Sequence, residues 1–115
     1  MTPEQKIKAT IMAKASYPKP FSDKNYAEFI ENDFYGHEEE FRCSGIETGL
    51  PCESDRNLES CSVAAQMFDG SWVGWTYWYG GGKHGYAESI EWMSEAYEVE
   101  SWEEMQLVRK FKKSS

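Results

Sequence analysis

The segment SCSVAAQMFDGSWVGWTYWY, residues 60–79, carries the clearest structural signal of the chain. From Ser60 to Phe68 apolar and polar residues alternate, which predicts a half-buried strand. Asp69-Gly70 is typical of a tight hairpin turn. The returning segment, Ser71 to Tyr79, is rich in the aromatic residues that strands favour. We therefore expect an antiparallel pair of strands within a sheet.

The returning strand carries large aromatic residues on both of its faces. Alternation places Val73, Trp75, Tyr77 and Tyr79 on one face and Trp72, Gly74, Thr76 and Trp78 on the other. A single hydrophobic layer needs only one of these faces. The second face is therefore either covered by helices or available to bind another molecule, and both alternatives stay open at this point.

Two helices and a short strand are predicted before the hairpin. Thr2-Pro3-Glu4-Gln5 has the pattern of a capped helix start, and apolar residues then recur at helical spacing to about Ser16. Ser22 opens a second amphipathic helix, for which Gly36 is the expected C′ residue. Phe41-Arg42-Cys43 is expected to begin a short strand.

A third helix and a last strand are predicted after the hairpin. From Tyr86 to about Val99, apolar residues line one side of a helix and glutamates the other. Glu104 to Lys112 alternates as a strand does. The expected fold is a single α+β domain over residues 1–115. It has two N-terminal helices, a small, mainly antiparallel sheet with the Asp-Gly hairpin, and an acidic third helix before the last strand.

Length and composition bound the class of protein. The chain has 115 residues, which suits one domain, and 20 acidic against 12 basic residues give a net charge of −8. Such a charge repels nucleic-acid phosphates and attracts cationic partners, so direct nucleic-acid binding is not expected. No window approaches the roughly 18 consecutive apolar residues of a membrane span. Lysines interrupt the N-terminus, which therefore lacks the apolar core of a signal peptide, and we expect a cytoplasmic protein.

The predicted third helix carries an acidic stripe composed of Glu88, Glu91, Glu95 and Glu98. Trp72, Trp78 and Trp92 are candidates for the centre of an adjoining interface, because interface cores favour Trp and their rims are polar. Three interpretations stay open. The stripe imitates nucleic-acid phosphates, it forms the charged rim of an interface with a basic protein, or it is a solvated helix face.

A glycine-rich run, GGGKHG at residues 80–85, lies between the hairpin and the predicted third helix. Free backbone N–H groups at such a junction can bind a phosphate or carboxylate. The run lacks the spacing of a P-loop and has His84 where a P-loop has Ser or Thr. The alternative is a flexible connection whose glycines supply positive φ angles. The candidate ligand-binding residues are Gly81, Gly82, Lys83, His84 and Gly85.

The sequence predicts no metal site and no catalytic centre. Cys43, Cys52 and Cys61 lack the close Cys-x₂₋₄-Cys pairs typical of zinc sites, although three thiols and a histidine could still converge. Their odd number argues against a disulfide framework. A nucleophile pair of Cys61 with His84 has no local signature to support it. We therefore expect a protein that is not an enzyme and needs no cofactor.

The stretch FDGSWVGWTYWYGGGKHG, followed by the acidic segment AESIEWMSEAYEVE and a β-prone tail, resembles small acidic proteins of bacteriophages and prophages. The resemblance covers Phe68–Lys112 and implies a setting without assigning a catalytic residue. Many such phage proteins bind and disable a host factor, such as a CRISPR effector or a restriction enzyme.

Two functions follow as hypotheses. The first is a non-catalytic phage accessory protein that inhibits a host protein by binding its basic surface through the acidic and aromatic residues. The second is a module that binds or sequesters a nucleotide or phosphate with the turn at residues 80–85. A thermal-shift screen of nucleotides separates them, because a ligand at 100 times its Kd stabilises a protein by about 2.7 kcal/mol.

Overall fold

The computed structural model of the protein describes residues 1–33, 35–52, 58–80, 87, 90–102 and 111–113. Within these residues the chain forms three α-helices and one four-stranded antiparallel sheet, which confirms the α+β class. The helices are α1 (Pro3–Lys14), α2 (Asp23–Glu31) and α3 (His37–Arg42). The strands are β1 (Ile46–Glu47), β2 (Glu59–Gln66), β3 (Trp72–Tyr79) and β4 (Tyr97–Val99). They lie in the sheet in the order β1-β2-β3-β4.

The predicted hairpin is confirmed as β2 and β3. Their register runs from the pair of Gln66 and Trp72 next to the turn to the pair of Glu59 and Tyr79 at the far end. The Asp69 carboxylate accepts hydrogen bonds from the main-chain N–H and the hydroxyl of Ser71, at 3.0 and 2.6 Å. Gly70 adopts a φ of +88°, which an L side chain rarely tolerates, so the Asp-Gly pair suits this turn.

Both N-terminal helices begin where their capping residues predict. The Thr2 hydroxyl accepts the Gln5 N–H at 3.2 Å, and the Gln5 side chain accepts the Thr2 N–H at 3.0 Å. The Ser22 hydroxyl caps α2 by accepting the Asn25 N–H at 3.0 Å. The end of α2 was predicted wrongly, because Asn32 bonds back to the main chain and closes the helix at Glu31.

The strand predicted at residues 41–43 is wrong, since residues 37–42 form α3. Two contacts explain the difference. The Phe41 ring stacks on Trp75 with 5.5 Å between centroids, and the Arg42 guanidinium donates twice to the Glu39 carboxylate three residues earlier. Gly36, with a φ of +83°, lies at the start of α3 and is not the C′ residue of α2.

The acidic helix predicted from residue 86 to 99 is wrong over the part that the structure describes there. Residues 90–96 form turns and irregular backbone, and Tyr97–Val99 is β4. The Tyr97 ring lies against Gly74, where an added Cβ would come within 2.8 Å of the ring. Pairing with β3 therefore outweighs the helical spacing of residues 86–99. The last strand, predicted at residues 104–112, falls almost entirely outside the described residues.

The hydrophobic core lies between the helices and one face of the sheet. Its most deeply buried side chains are Trp75, Val73, Ile7 and Ile11, all at 0–1% exposure. Trp92 packs on Trp75 with 5.3 Å between ring centroids. The helices therefore cover the sheet face that carries Val73 and Trp75.

Polar contacts attach α1 to the hairpin and to β4. The Lys6 ammonium lies 2.5 Å from Glu98 and 3.2 Å from the Ser71 hydroxyl. The buried hydroxyl of Thr10 donates to the Lys6 carbonyl at 2.7 Å and accepts the Phe68 N–H at 3.0 Å. None of the helices in the described residues has the length and apolar character needed to cross a bilayer.

Candidate functional site

The sheet face turned away from the helices, called the open face below, contains a shallow groove. Ile46, Ala64, Gly74 and Tyr97 form one row across the four strands and share this face. The two central residues, Ala64 and Gly74, are small, and Ala64 lines the groove. The Tyr97 ring can lie on Gly74 because glycine has no Cβ there.

The groove has a volume of about 730 Å³ and mostly apolar walls. Its apolar lining residues are Ile46, Leu50, Ala64, Trp72, Tyr97, Val99 and Trp102. Three of these are strongly exposed, namely Trp102 at 70%, Ile46 at 65% and Leu50 at 46%. Scattered exposed apolar residues are normal on a protein surface, but a contiguous group of this kind indicates a binding surface.

Glutamates contributed by the edge strands flank the groove. Glu47 comes from β1, Glu98 from β4, and Glu100 follows β4 directly. Alternation along the strands turns the Glu47 and Glu98 side chains toward the other face of the sheet, where Glu47 lies near Cys61. Among the described residues, no lysine or arginine lines the groove. The Lys6 ammonium pairs with Glu98 from the opposite side of the sheet. The groove therefore has an aromatic and aliphatic interior, and acidic residues lie at the edges of the sheet beside it.

The three tryptophans predicted as contact residues lie in different environments. Trp72 is half-buried and lines the groove, and its role as a contact residue stays a prediction. Trp78 is 9% exposed and Trp92 is 7% exposed, and Trp92 packs in the core against Trp75. Neither buried ring is available to a partner in this conformation, which corrects the expectation for these two residues.

The predicted acidic stripe is also rearranged. The Glu91 carboxylate accepts the main-chain N–H groups of Met93 and Ser94 at 3.1 and 3.3 Å, and so stabilises a turn. Glu95 is exposed beside this turn, and Glu98 lies in β4. The described glutamates therefore do not lie on one helix face. Glu88 lies outside the described residues.

The candidate ligand-binding turn lies outside the described residues, which include Gly80 but not Gly81, Gly82, Lys83, His84 or Gly85. The cysteines are described. Cys43 and Cys52 are exposed thiols, while Cys61 is half-buried and burial raises its pKa. In the parts of the chain given above, no three His, Cys, Asp or Glu side chains are arranged to hold a metal ion.

Sequence reasoning missed most residues of the groove. Ile46 and Leu50 belong to none of the helices and strands predicted above, and Tyr97 fell in a predicted helix. One signal was present, since Tyr97-Glu98-Val99-Glu100 alternates apolar and acidic residues as a half-buried strand does. Helical spacing over the longer segment concealed it.

Comparisons of the chain with protein-family models, with curated proteins and with solved structures found no match.

Proposed function

We propose that the protein is a non-catalytic binding protein that inhibits a host-cell protein by covering a basic surface of it with the groove on the open face. The observation that carries this proposal is the gathering of Ile46, Leu50 and Trp102, all well exposed, around Trp72 and Tyr97. Burying such side chains against a partner is favourable by roughly 25 cal/mol per Å² of apolar surface.

The composition of the groove matches that of a protein interface. Trp and Tyr are the residues most often found at energetically important positions of interfaces, and they lie here within a polar edge. Glu47 and Glu100 are exposed at the edges of the sheet beside the groove, where lysines or arginines of a partner that extends past the groove can pair with them. The partner surface that fits is therefore basic at its margin and apolar at its centre.

The overall charge supports the same class of partner. A net charge of −8 accelerates encounter with a positively charged surface and slows encounter with nucleic acid. Host proteins that bind nucleic acid have such basic surfaces, because they must neutralise phosphates. Among them, defence proteins such as CRISPR effectors or restriction enzymes agree with the phage setting that the resemblance implies.

The test begins with capture of proteins from a bacterial lysate on immobilised wild-type protein, followed by a Kd measurement with each purified partner. In the first variant, Ile46→Ser and Trp102→Ser remove apolar groove surface. In the second, Glu47→Gln and Glu100→Gln remove its edge charge. We expect the first variant to raise Kd at least tenfold. The second should lower the association rate and weaken its dependence on salt.

The matched control is Glu31→Gln, an exposed residue of α2 that has no place in the groove. It should leave Kd unchanged while removing one negative charge. Partners that bind both groove variants as tightly as the wild type contradict the proposal. The proposal is also contradicted if no protein captured from the lysate depends on the groove for binding.

A further inference from the structure

The chemistry that the groove requires of a partner is also present in this chain itself. Residues 109–113 read RKFKK and carry four positive charges and no negative one. The structure describes residues 111–113 of this run, called the basic arm below, and all three are exposed. Phe111 is 86% exposed, more than any other large apolar side chain that the structure describes. The basic arm therefore presents an apolar ring beside two ammonium groups.

The basic arm and the groove are complementary in shape and charge. The groove has Trp72, Tyr97 and Trp102 in its lining, against which a phenyl ring can pack. Its volume of about 730 Å³ is large enough for a drug-sized molecule, so a phenyl ring and a lysine stem fit. Glu100 is exposed in the same lining. A lysine stem can lie along apolar surface while its ammonium group reaches such a carboxylate.

Within one copy of the chain, the basic arm and the groove do not cover each other. Phe111 at 86% exposure and Trp102 at 70% both stay accessible in the same folded molecule. A second copy can place its arm in the groove of the first and receive the arm of the first in return. This exchange gives a closed dimer with a two-fold axis.

The charge of the chain favours this exchange over direct packing of two open faces. Face-to-face packing would bring together two chains that each carry a net charge of −8. Among the described residues that line the groove, none is a lysine or arginine that could lie between the two faces. Exchange of the arms places Lys112 and Lys113 of each copy beside the acidic body of the other.

We propose that the groove of one copy binds the basic arm of a second copy, so that the protein forms a dimer by exchanging arms. The Phe111 ring enters the groove, and the lysines lie at its edge near Glu100. The inference rests on the same groove as the proposed function and adds regulation to it. A host protein with a basic surface must displace the arm, so self-association and partner binding compete.

The oligomeric state of the purified full chain, in the absence of any host protein, tests the inference. Sedimentation velocity over a wide range of concentrations should show a monomer–dimer equilibrium whose Kd rises with salt. Phe111→Ser should raise this Kd at least tenfold, because it removes the apolar anchor. The matched control is Phe68→Ser, at a 53% exposed position that does not line the groove, and it should leave the Kd unchanged.

A charge exchange identifies which surfaces meet. Glu100→Lys reverses the charge at the groove, and Lys112→Glu with Lys113→Glu reverses the charge of the arm. Each variant alone should dimerise at least fivefold more weakly than the wild type, because like charges then meet. An equimolar mixture of the two should dimerise like the wild type, since each groove then receives an arm of opposite charge. Lys24→Glu, exposed on α2, is the charge control and should behave as the wild type.

A chain that stays monomeric at every concentration overturns the inference, even if its groove captures a host protein. It is also overturned by a dimer that Phe111→Ser leaves unchanged, or by a mixture that dimerises no better than its components. An arm that binds the groove of its own copy would change the tryptophan fluorescence of a monomer in a Phe111-dependent way, and this result contradicts exchange. Loss of host capture with dimerisation retained contradicts the proposed function alone. Circular dichroism of each variant checks that the fold is retained.

Discussion

The indole N–H of Trp75 donates to the main-chain carbonyl of Arg42 over 3.2 Å, between the middle of β3 and the last residue of α3. The Arg42 guanidinium donates in turn to the carbonyl of Trp78 at 2.7 Å and lies over the Tyr77 ring. These contacts join the short helix to β3 at three residues, Trp75, Tyr77 and Trp78. They hold α3 in place, although six residues are too few for a stable isolated helix.

Trp75→Phe tests the importance of this connection. The indole is completely buried, so the substitution removes core volume and leaves the Arg42 carbonyl without its partner. We expect the free energy of unfolding to fall by about 2 kcal/mol, measured by urea denaturation followed by circular dichroism. Trp102→Phe, at a 70% exposed position, should change it by less than about 0.5 kcal/mol. Equal losses in the two variants would show that Trp75 has no special structural role.

Gly74→Ala tests how the groove is built. The added Cβ would lie within 2.8 Å of the Tyr97 ring, so the ring and β4 must move. Overpacking of this kind costs about 1–3 kcal/mol, and hydrogen exchange should become faster at Tyr97–Val99. In a Tyr97→Ala background the same substitution should cost almost nothing, because the clash is gone. If Gly74→Ala still lowers the free energy of unfolding in the Tyr97→Ala background, the added Cβ clashes with a residue other than Tyr97.

Thr10→Val tests the attachment of α1 to the hairpin. Valine keeps the shape of the side chain but cannot accept the Phe68 N–H, now bonded at 3.0 Å. An unsatisfied buried donor costs about 1–3 kcal/mol, to be measured as the change in unfolding free energy. Thr10→Ser keeps the hydroxyl and should lose less than Thr10→Val. The reverse order would mean that the methyl group matters more than the hydrogen bond.

The Asp33 carboxylate should account for part of the change in the free energy of unfolding between neutral and acidic pH. Burial opposes its ionisation, but hydrogen bonds from His37 and Gly36 outweigh burial and hold its folded-state pKa below the usual value of 3.8. Its contribution to stability is therefore present above pH 3.8 and is lost as the pH falls through the folded-state pKa. Asp33→Asn should therefore be less stable than the wild type near neutral pH. The difference should shrink in urea titrations taken from about pH 5 to about pH 2.5. A difference that stays constant over this range contradicts the assignment, and Glu31→Gln serves as the reference variant.

Local signals were enough to predict the elements whose ends depend on neighbouring residues. Thr2 and Ser22 cap their helices through main-chain groups three residues away, and the turn at Asp69-Gly70 is closed by contacts within five residues. The strands on each side of that turn followed from alternation alone. Such interactions can be predicted because both partners lie close together in the sequence.

Other elements depended on contacts between distant residues. Residues 37–42 became helical with Phe41 packed on Trp75, far along the chain, and residues 97–99 became a strand by pairing with Trp72–Gly74. Helical spacing in residues 86–99 predicted a helix there because it contained no information about Gly74. The Tyr97 ring can pack on Gly74 only once β3 and β4 lie side by side.

From its residues alone the chain could be assigned its hairpin, its two capped helices, its α+β class and its acidic character. Which aromatic rings are buried depended on the folded arrangement, which places Trp75, Trp78 and Trp92 inside while Trp102 stays exposed. Exposure is a property of the space around a side chain, and that space is made by segments far apart in the sequence. For the same reason the groove emerges only when the strands have packed.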